Sequence, residues 1–289
     1  MRSKVVVIGA TGFLGRQIAS AESDKYEIFG TTRSEKNVEG RLIKLRELED
    51  FLVQNKGRLK AIVNCAVLYT GSEDEMHQTN VELPKYLLQL CQEYDVPQLV
   101  LFDSFYSFTL DRYNHLTTYT ENKVHLRNEI SRTAKDEVHV NWIVLGHIFG
   151  EFDRESKFVP STIVDLLSHR KLDMTNGEQL RDFTYVGDAV ASLMKSLCLE
   201  LNSGGGMSMF YLGSGESRSV RYFVEKAVEC SGSKSKINFG ALKYRQNEIM
   251  KPFVGDEYIP PMQYVVKYGF EKGLRRTIEY YRDVKRTNK

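Results

Sequence analysis

Two short patterns in this chain carry groups that could do chemistry. The first is Gly9-Ala10-Thr11-Gly12-Phe13-Leu14-Gly15, three glycines spaced by three. Small residues at such a turn let backbone amides approach a pyrophosphate at the start of a helix. Gly9, Thr11, Gly12, Phe13, Leu14 and Gly15 are therefore candidate contacts for a dinucleotide. A tight strand–helix turn in another doubly wound protein would use the same spacing. The second pattern is Tyr119-Thr120-Glu121-Asn122-Lys123. A tyrosine and a lysine four apart share one face of a helix. An ammonium beside a phenol favours the phenolate and lowers its pKa, which would let Tyr119 exchange a proton with a substrate oxygen near neutral pH. Spacing alone does not select this pair, because Tyr222/Lys226, Tyr268/Lys272 and Tyr281/Lys285 repeat it.

The elements around it do. The glycine turn follows the apolar run Lys4–Ile8 and opens a helical pattern led by Phe13, Leu14 and Ile18. Further apolar runs at Tyr26–Thr31, Lys60–Cys65, Gln98–Asp103 and Val138–Leu145 alternate with helical stretches such as Asn80–Tyr94. The runs are apolar without clean alternation, which suits strands buried on both faces. The expectation is an α/β chain, a Rossmann-like doubly wound parallel sheet with right-handed crossovers. Pro84 and Pro97 fall near a helix start and before a strand, where proline is tolerated. Ligands of such sheets sit beyond the carboxyl ends of the strands. The run Gln98–Asp103 ends in Ser104, and the next helix carries Tyr119 and Lys123, so these three can meet there. The other three pairs fall in the second half, where solvated helix faces are expected.

The run ending at Thr31 continues Thr32-Arg33-Ser34. Enzymes that use NAD usually place an acidic residue here to hold the ribose diol. An arginine flanked by hydroxyls would instead grip a 2′-phosphate. This predicts NADP(H) and adds Thr32, Arg33 and Ser34 to the cofactor contacts. A solvated loop arginine is the alternative.

After residue 146 the rhythm loosens around Gly146, Gly150, Pro160, Gly177 and Gly204-Gly205-Gly206. The expected organisation is a dinucleotide-binding domain over 1–150, with 180–213 returning to it through a helix at Asp188–Leu201 and a strand at Phe210–Gly213. Most of 151–289, with a helix at Val220–Cys230, forms a smaller C-terminal substrate-binding lobe. Hydrophobic residues at 42% and charged residues at 27% are ordinary for a globular chain, and a net charge of +2 makes nucleic acid a poor partner. No apolar run reaches the roughly 18 residues of a membrane span, and no signal peptide is expected before the first strand. Cys65, Cys91, Cys198 and Cys230 are scattered, which argues against a metal site or disulfide framework and fits a reducing cytoplasm.

These pieces together resemble the extended short-chain dehydrogenases, the NAD-dependent epimerase/dehydratase family of nucleotide-sugar enzymes. The resemblance runs through Gly9–Gly15, Asn64-Cys65-Ala66, Asn80 in TNVELPKYLL, Ser104, Tyr119 and Lys123. It continues through HIFGEFDRESKF (147–158), RDFTYVGDAV (181–190), GALKYRQNEIM (240–250) and FEKGLRRTIEYYR (270–282). It implies that Tyr119 is the acid/base, that Lys123 holds the cofactor ribose and tunes the tyrosine, and that Ser104 bonds the reacting sugar oxygen. It adds Cys65 and Ala66 to the cofactor contacts. It matches Arg181 and Arg245 to arginines that clamp a nucleotide diphosphate, as forked donors suit that charge. A surface ion pair is the alternative for either arginine. His147 and Tyr106 join the substrate contacts, His147 standing where the family has an asparagine. The family also implies a homodimer. Ser104 and Tyr119 lie closer in sequence than is common, KLRELEDF replaces the usual acidic motif, and the closing glycine-tryptophan signature is missing.

Within that family, Phe105 and Tyr106 after Ser104 leave out the acidic pair of a sugar 4,6-dehydratase. Tyr106 replaces the cysteine of the fucose-synthase kind of epimerase–reductase. Arg33 argues against a 4-epimerase that retains NAD. What remains is an NADPH-dependent reduction of a nucleotide-linked 4-keto-6-deoxyhexose. LGSGESRSVRYFV (212–224) and INFGALKYRQNEIM (237–250) are most similar to the CDP-abequose and CDP-paratose synthase group, which implies a CDP-4-keto-3,6-dideoxyhexose substrate for O-antigen. A 4-epimerase and a non-catalytic NADP-binding sensor or scaffold remain as alternatives.

Overall fold

A computed structural model describes residues 2–33, 41–108, 117–134, 138–197, 205–251 and 259–287. In chain order the elements are β1 (Ser3–Ile8), α1 (Phe13–Ala19), β2 (Tyr26–Thr32), β3 (Leu42–Lys44), α2 (Leu48–Gln54), β4 (Leu59–Asn64), α3 (Glu73–His77), α4 (Leu83–Glu93), β5 (Gln98–Ser104), α5 (Thr117–Thr133) and β6 (His139–Leu145). There follow β7 (His147–Phe149), α6 (Phe158–Leu167), β8 (Leu172–Met174), β9 (Leu180–Arg181), β10 (Phe183–Tyr185), α7 (Val186–Ser196), β11 (Gly206–Leu212), β12 (Arg218–Ser219), α8 (Val220–Ser231), β13 (Ile237–Phe239) and α9 (Phe270–Thr287).

The chain divides into two compact units: Met1–Leu145 with Leu193–Tyr211 and Glu257–Pro260, and Gly146–Ser192 with Leu212–Asp256 and Pro261–Lys289. In the first, seven strands order as β11-β6-β5-β4-β1-β2-β3, with parallel pairing at each step from β6 to β3. The order reverses between β1 and β4, the switch point of a doubly wound sheet. Val5, Val6, Val7, Ala61, Ile62, Val63, Leu99 and Val100 are fully buried, as strands covered on both faces require. The edge strand β3 and helix α2 arise from a stretch without clear sequence periodicity. β3 is only three residues long and half-buried, too short to show a period.

Between α3 and α4, residues Gln78–Glu82 form a single wide π turn. Pro84 lies in the first turn of α4 and has no N–H to give the carbonyl of Asn80, so the regular ladder cannot run through.

The second unit is held by an aromatic core. Phe183 stacks on Phe223 with centroids 4.5 Å apart, and Phe149 meets Tyr185, Phe223 and Phe270. Helix α9 buries Gly273, Leu274, Thr277, Ile278 and Tyr281, the spacing of one helical face. A Cβ on Gly273 would stand 2.3 Å from the Tyr185 ring, so only glycine allows that approach.

The returning segment is Leu193–Tyr211, shorter than 180–213. β9 and β10 pair with β12 and β7 inside the second unit instead of joining the large sheet. Strand β11 starts at Gly206, earlier than the expected Phe210. One late tyrosine–lysine pair is not a solvated face. Tyr281 is buried and donates to the Asp153 carbonyl at 2.7 Å, while Lys285 donates to the Leu167 carbonyl at 3.0 Å. Among the described residues no helix is long and apolar enough to cross a membrane, and no group of His, Cys, Asp or Glu could hold a metal.

Candidate active site

The glycine turn is built by contact as much as by conformation. Gly9 has φ +76°, and a Cβ there would come within 2.8 Å of the Ala66 amide nitrogen. A Cβ on Gly15 would lie 2.3 Å from the Gly9 carbonyl oxygen. The turn is closed by Gly12 N–H donating to that carbonyl at 3.0 Å, while Cys65 N–H donates to Ile8 O at 2.9 Å. Cys65 and Ala66 are thus brought against the turn. Helix α1 begins after an extended, exposed Gly12, and no side chain caps it. Such a helix start suits an anion, so the residues present fit a dinucleotide pyrophosphate. Thr31 Oγ1 accepts weakly from Gly9 N–H at 3.4 Å, Thr32 is buried at the end of β2, and Arg33 is exposed beyond it. Ser34 lies outside the described residues. Gly15→Ala is expected to weaken dinucleotide binding at least tenfold and to cost about 1–3 kcal/mol by overpacking, read by fluorescence titration with NADPH and by thermal melting. Unchanged binding and melting would contradict the packing described here.

Helix α5 docks on the end of β5 through one face. Lys123 Nζ, buried, donates to the Phe102 carbonyl at 2.7 Å. One turn further, Arg127 donates to Asp103 Oδ2 at 3.1 Å and to Ser107 Oγ at 3.2 Å, with its guanidinium 4.1 Å from the Phe108 ring centre. Trp142 on β6 donates its indole N–H to the same Asp103 oxygen at 2.9 Å, and Ser104 N–H donates to Oδ1 at 2.7 Å. The buried Asp103 carboxylate therefore joins β5, β6 and α5 just before Ser104. Sequence reasoning missed it. The one available signal was the spacing Tyr119, Lys123, Arg127, which puts three such residues on one helix face. Ser104 Oγ accepts weakly from Tyr106 N–H at 3.4 Å, and the Tyr106 ring packs on Phe105 at 4.1 Å.

Tyr119 is 3% exposed. Its proton affinity corrects the expectation from spacing. Burial pushes the phenol pKa well above its usual value, and Tyr69 and the Asp103 charge push the same way. Lys123 does not offset this. Its ammonium is turned to the Phe102 carbonyl, 5.9 Å from the Tyr119 ring centre, and burial lowers its own pKa. In this environment the neutral phenol is favoured over the phenolate. Tyr69, in the loop after β4, packs its ring 4.8 Å from that of Tyr119. Nothing in the local sequence marks it.

The remaining candidates lie in the second unit. Arg181 is buried and donates to the Leu180 and Ile249 carbonyls at 2.7 Å each and to Glu248 Oε1 at 2.6 Å. Much of its donor capacity is thus engaged by the protein. Arg245 is exposed, and its carbonyl accepts from Glu248 N–H at 3.2 Å, so the segment carrying Arg245 is also the one that holds Arg181. His147 sits on β7, edge-on to Phe183 at 5.0 Å. Burial, then the charges of Arg181 and Lys157, lower its pKa to about 3, so it is a neutral imidazole at physiological pH. Asp182 and Asp188, which the sequence did not single out, organise loops of this unit. Asp182 accepts from Ser214 N–H at 3.0 Å and Gly215 N–H at 2.8 Å.

Comparison with known proteins places these features in a wider set. The model of the family described as "NAD dependent epimerase/dehydratase family" matches residues 5–204. The chain is 27% identical to a CDP-abequose synthase of Salmonella muenchen, over 96% of this chain and 98% of that one. Among solved structures it is similar to a UDP-N-acetylglucosamine 4-epimerase from Methanobrevibacter ruminantium, with TM-score 0.78 and 17% identity over 98% of this chain and 100% of that one. It is also similar to a UDP-glucuronic acid 4-epimerase from Bacillus cereus solved with UDP-glucuronic acid and NAD, with TM-score 0.74 and 18% identity over 97% and 99%. At those identities the solved structures speak to the fold alone.

Proposed function

Because the chain belongs to the NAD dependent epimerase/dehydratase family, we propose that it is an NADPH-dependent reductase of a nucleotide-activated 4-keto-6-deoxyhexose, with a CDP-4-keto-3,6-dideoxyhexose as the favoured substrate, serving bacterial surface-polysaccharide synthesis. The observation that carries the reading is the placement of Tyr119, buried beside Lys123 on the helix docked at the carboxyl end of β5. A reduction of a ketone needs an acid there. Bound NADPH supplies the hydride to carbon 4. The Tyr119 hydroxyl gives its proton to the carbonyl oxygen as that oxygen gains the electron pair, Ser104 donates a hydrogen bond to the same oxygen, and Lys123 holds the cofactor ribose. The likeness to a CDP-abequose synthase over nearly the whole chain supports the substrate class.

The first unit is the proposed dinucleotide domain and the second the proposed nucleotide-sugar lobe, with Arg181 and Arg245 for the diphosphate and His147 and Tyr106 for the sugar. A homodimer acting in the cytoplasm is the proposed form. Arg33, with no acid at the end of β2, supports NADPH over NADH. Arg33→Ala is expected to raise the Michaelis constant for NADPH about tenfold, the worth of a charge-assisted hydrogen bond, and to leave NADH little changed. A wild-type preference for NADH would overturn the cofactor assignment.

Incubation with NADPH and CDP-, dTDP-, UDP- and GDP-linked 4-keto-6-deoxy sugars tests the function. One NADPH should be oxidised per sugar reduced. A 4-epimerase would interconvert sugars with no net oxidation, and a sensor would bind NADPH without turnover. Either outcome rejects the reductase.

A further inference from the structure

We propose that Asp103 is the positioning residue that sets Ser104 against Tyr119: one carboxylate oxygen holds the Ser104 backbone, and the other holds the helix that carries Tyr119. In the reduction proposed above, on which this inference rests, the Ser104 and Tyr119 hydroxyls must reach the same carbonyl oxygen. They come from different elements, the end of β5 and the first turn of α5. A misplacement of about 1 Å between such groups can cost roughly a hundredfold in rate. Each must therefore be fixed relative to the other.

Asp103 is placed to do this. Beyond Leu101, β5 has no partner in β4, which ends opposite it at Asn64. Side chains serve the β5 backbone there instead. Lys123 Nζ donates to the Phe102 carbonyl, and Asp103 Oδ1 accepts from Ser104 N–H, at 2.7 Å each. Asp103 Oδ2 accepts from Arg127 on α5 at 3.1 Å and from the Trp142 indole N–H on β6 at 2.9 Å. Arg127 lies about two turns after Tyr119 on the same helix face, and it also reaches Ser107 Oγ at 3.2 Å in the turn that follows Ser104. The Asp103 side chain is fully buried, so solvent does not loosen these bonds. An ionised carboxylate accepts at both ends, whereas the isosteric asparagine keeps a single acceptor. Set toward Arg127 and Trp142, an asparagine would turn its NH2 group on the Ser104 N–H. Two donors would then face each other, and the end of β5 would have to move.

For Asp103→Asn the expected kcat is roughly 10- to 100-fold lower, with KM for NADPH little changed. Arg127 also loses its counter-charge, which lowers the melting temperature, so turnover is measured well below it. A double-mutant cycle separates positioning from general loosening. In a Ser104→Ala background the hydroxyl is already gone, and Asp103→Asn should cost no more than about threefold further. The Asp103 charge acts on Tyr119 in both backgrounds, so its removal cancels from the cycle. Protein labelled with nitrogen-15 serine reads the contact without substrate or cofactor. The Ser104 amide proton, identified by its loss in Ser104→Ala, should lie downfield and move upfield in Asp103→Asn. Should Asp103→Asn fail to fold, Arg127→Lys keeps the charge but not the planar guanidinium that spans Asp103 and Ser107. It should show the same coupling to Ser104→Ala at about threefold amplitude. Equal fold-losses in the wild-type and Ser104→Ala backgrounds, or a wild-type kcat in the variant, overturn the inference and leave the function standing. Failure of the wild-type protein to oxidise NADPH with any of the keto sugars overturns the function and this inference with it.

Discussion

Tyr119→Phe is expected to lower turnover by roughly 10²- to 10⁴-fold, the usual contribution of a positioned general acid. NADPH binding and melting temperature should stay close to wild type. The substitution removes one oxygen from a ring whose packing against Tyr69 is retained. The loss should appear in kcat, because a proton donor acts in the transition state and not in ground-state binding. Steady-state kinetics with NADPH and the 4-keto sugar, paired with fluorescence titration of NADPH, would check both halves. A variant that retains more than a tenth of wild-type turnover would remove Tyr119 from the chemistry.

A second large effect is expected at a residue to which no chemistry is assigned. Asp188, fully buried in the first turn of α7, accepts from the backbone N–H groups of Lys267 at 2.8 Å, Tyr268 at 2.7 Å and Gly269 at 2.9 Å, and from the Tyr264 hydroxyl at 3.2 Å. These amides immediately precede α9, so one carboxylate fixes how the chain approaches its last helix. Asp188→Ala strips the acceptor from every one of these donors. The expected cost is about 3–5 kcal/mol, the range for breaking a buried charge-assisted cluster, and roughly a 10 °C fall in melting temperature. Asp188→Asn keeps one acceptor oxygen and should fall between. Thermal melts and limited proteolysis near residues 264–269 give the order. Equal melting of wild type and Asp188→Ala would show that these hydrogen bonds carry little net stability.

The glycine turn was legible because its requirements are local. A positive φ at Gly9 and a clash-free approach at Gly15 can be met only by glycine, so they leave a mark at fixed spacing. The α/β class was legible for a related reason: strands buried on both faces must be apolar throughout, and each crossover helix must carry one apolar face. Edge elements such as β3 escaped because three half-buried residues have no period to read. The Tyr281/Lys285 pair was misread as solvated because helical spacing says which residues share a face, not whether another element covers it.

By itself, then, the sequence determined a doubly wound sheet with a glycine turn at the end of its first strand. It also put a tyrosine and a lysine on one face of the helix after β5. Tertiary structure alone decided what those groups can do. The Tyr119 phenol pKa is raised because burial, Tyr69 from the loop after β4 and Asp103 from β5 act on it together, while its helix neighbour Lys123 is turned to a backbone carbonyl. Arg181 is engaged by Glu248, far along the chain. Proton affinity and donor availability depend on desolvation and on charges within a few ångströms, and residues distant in sequence supply both.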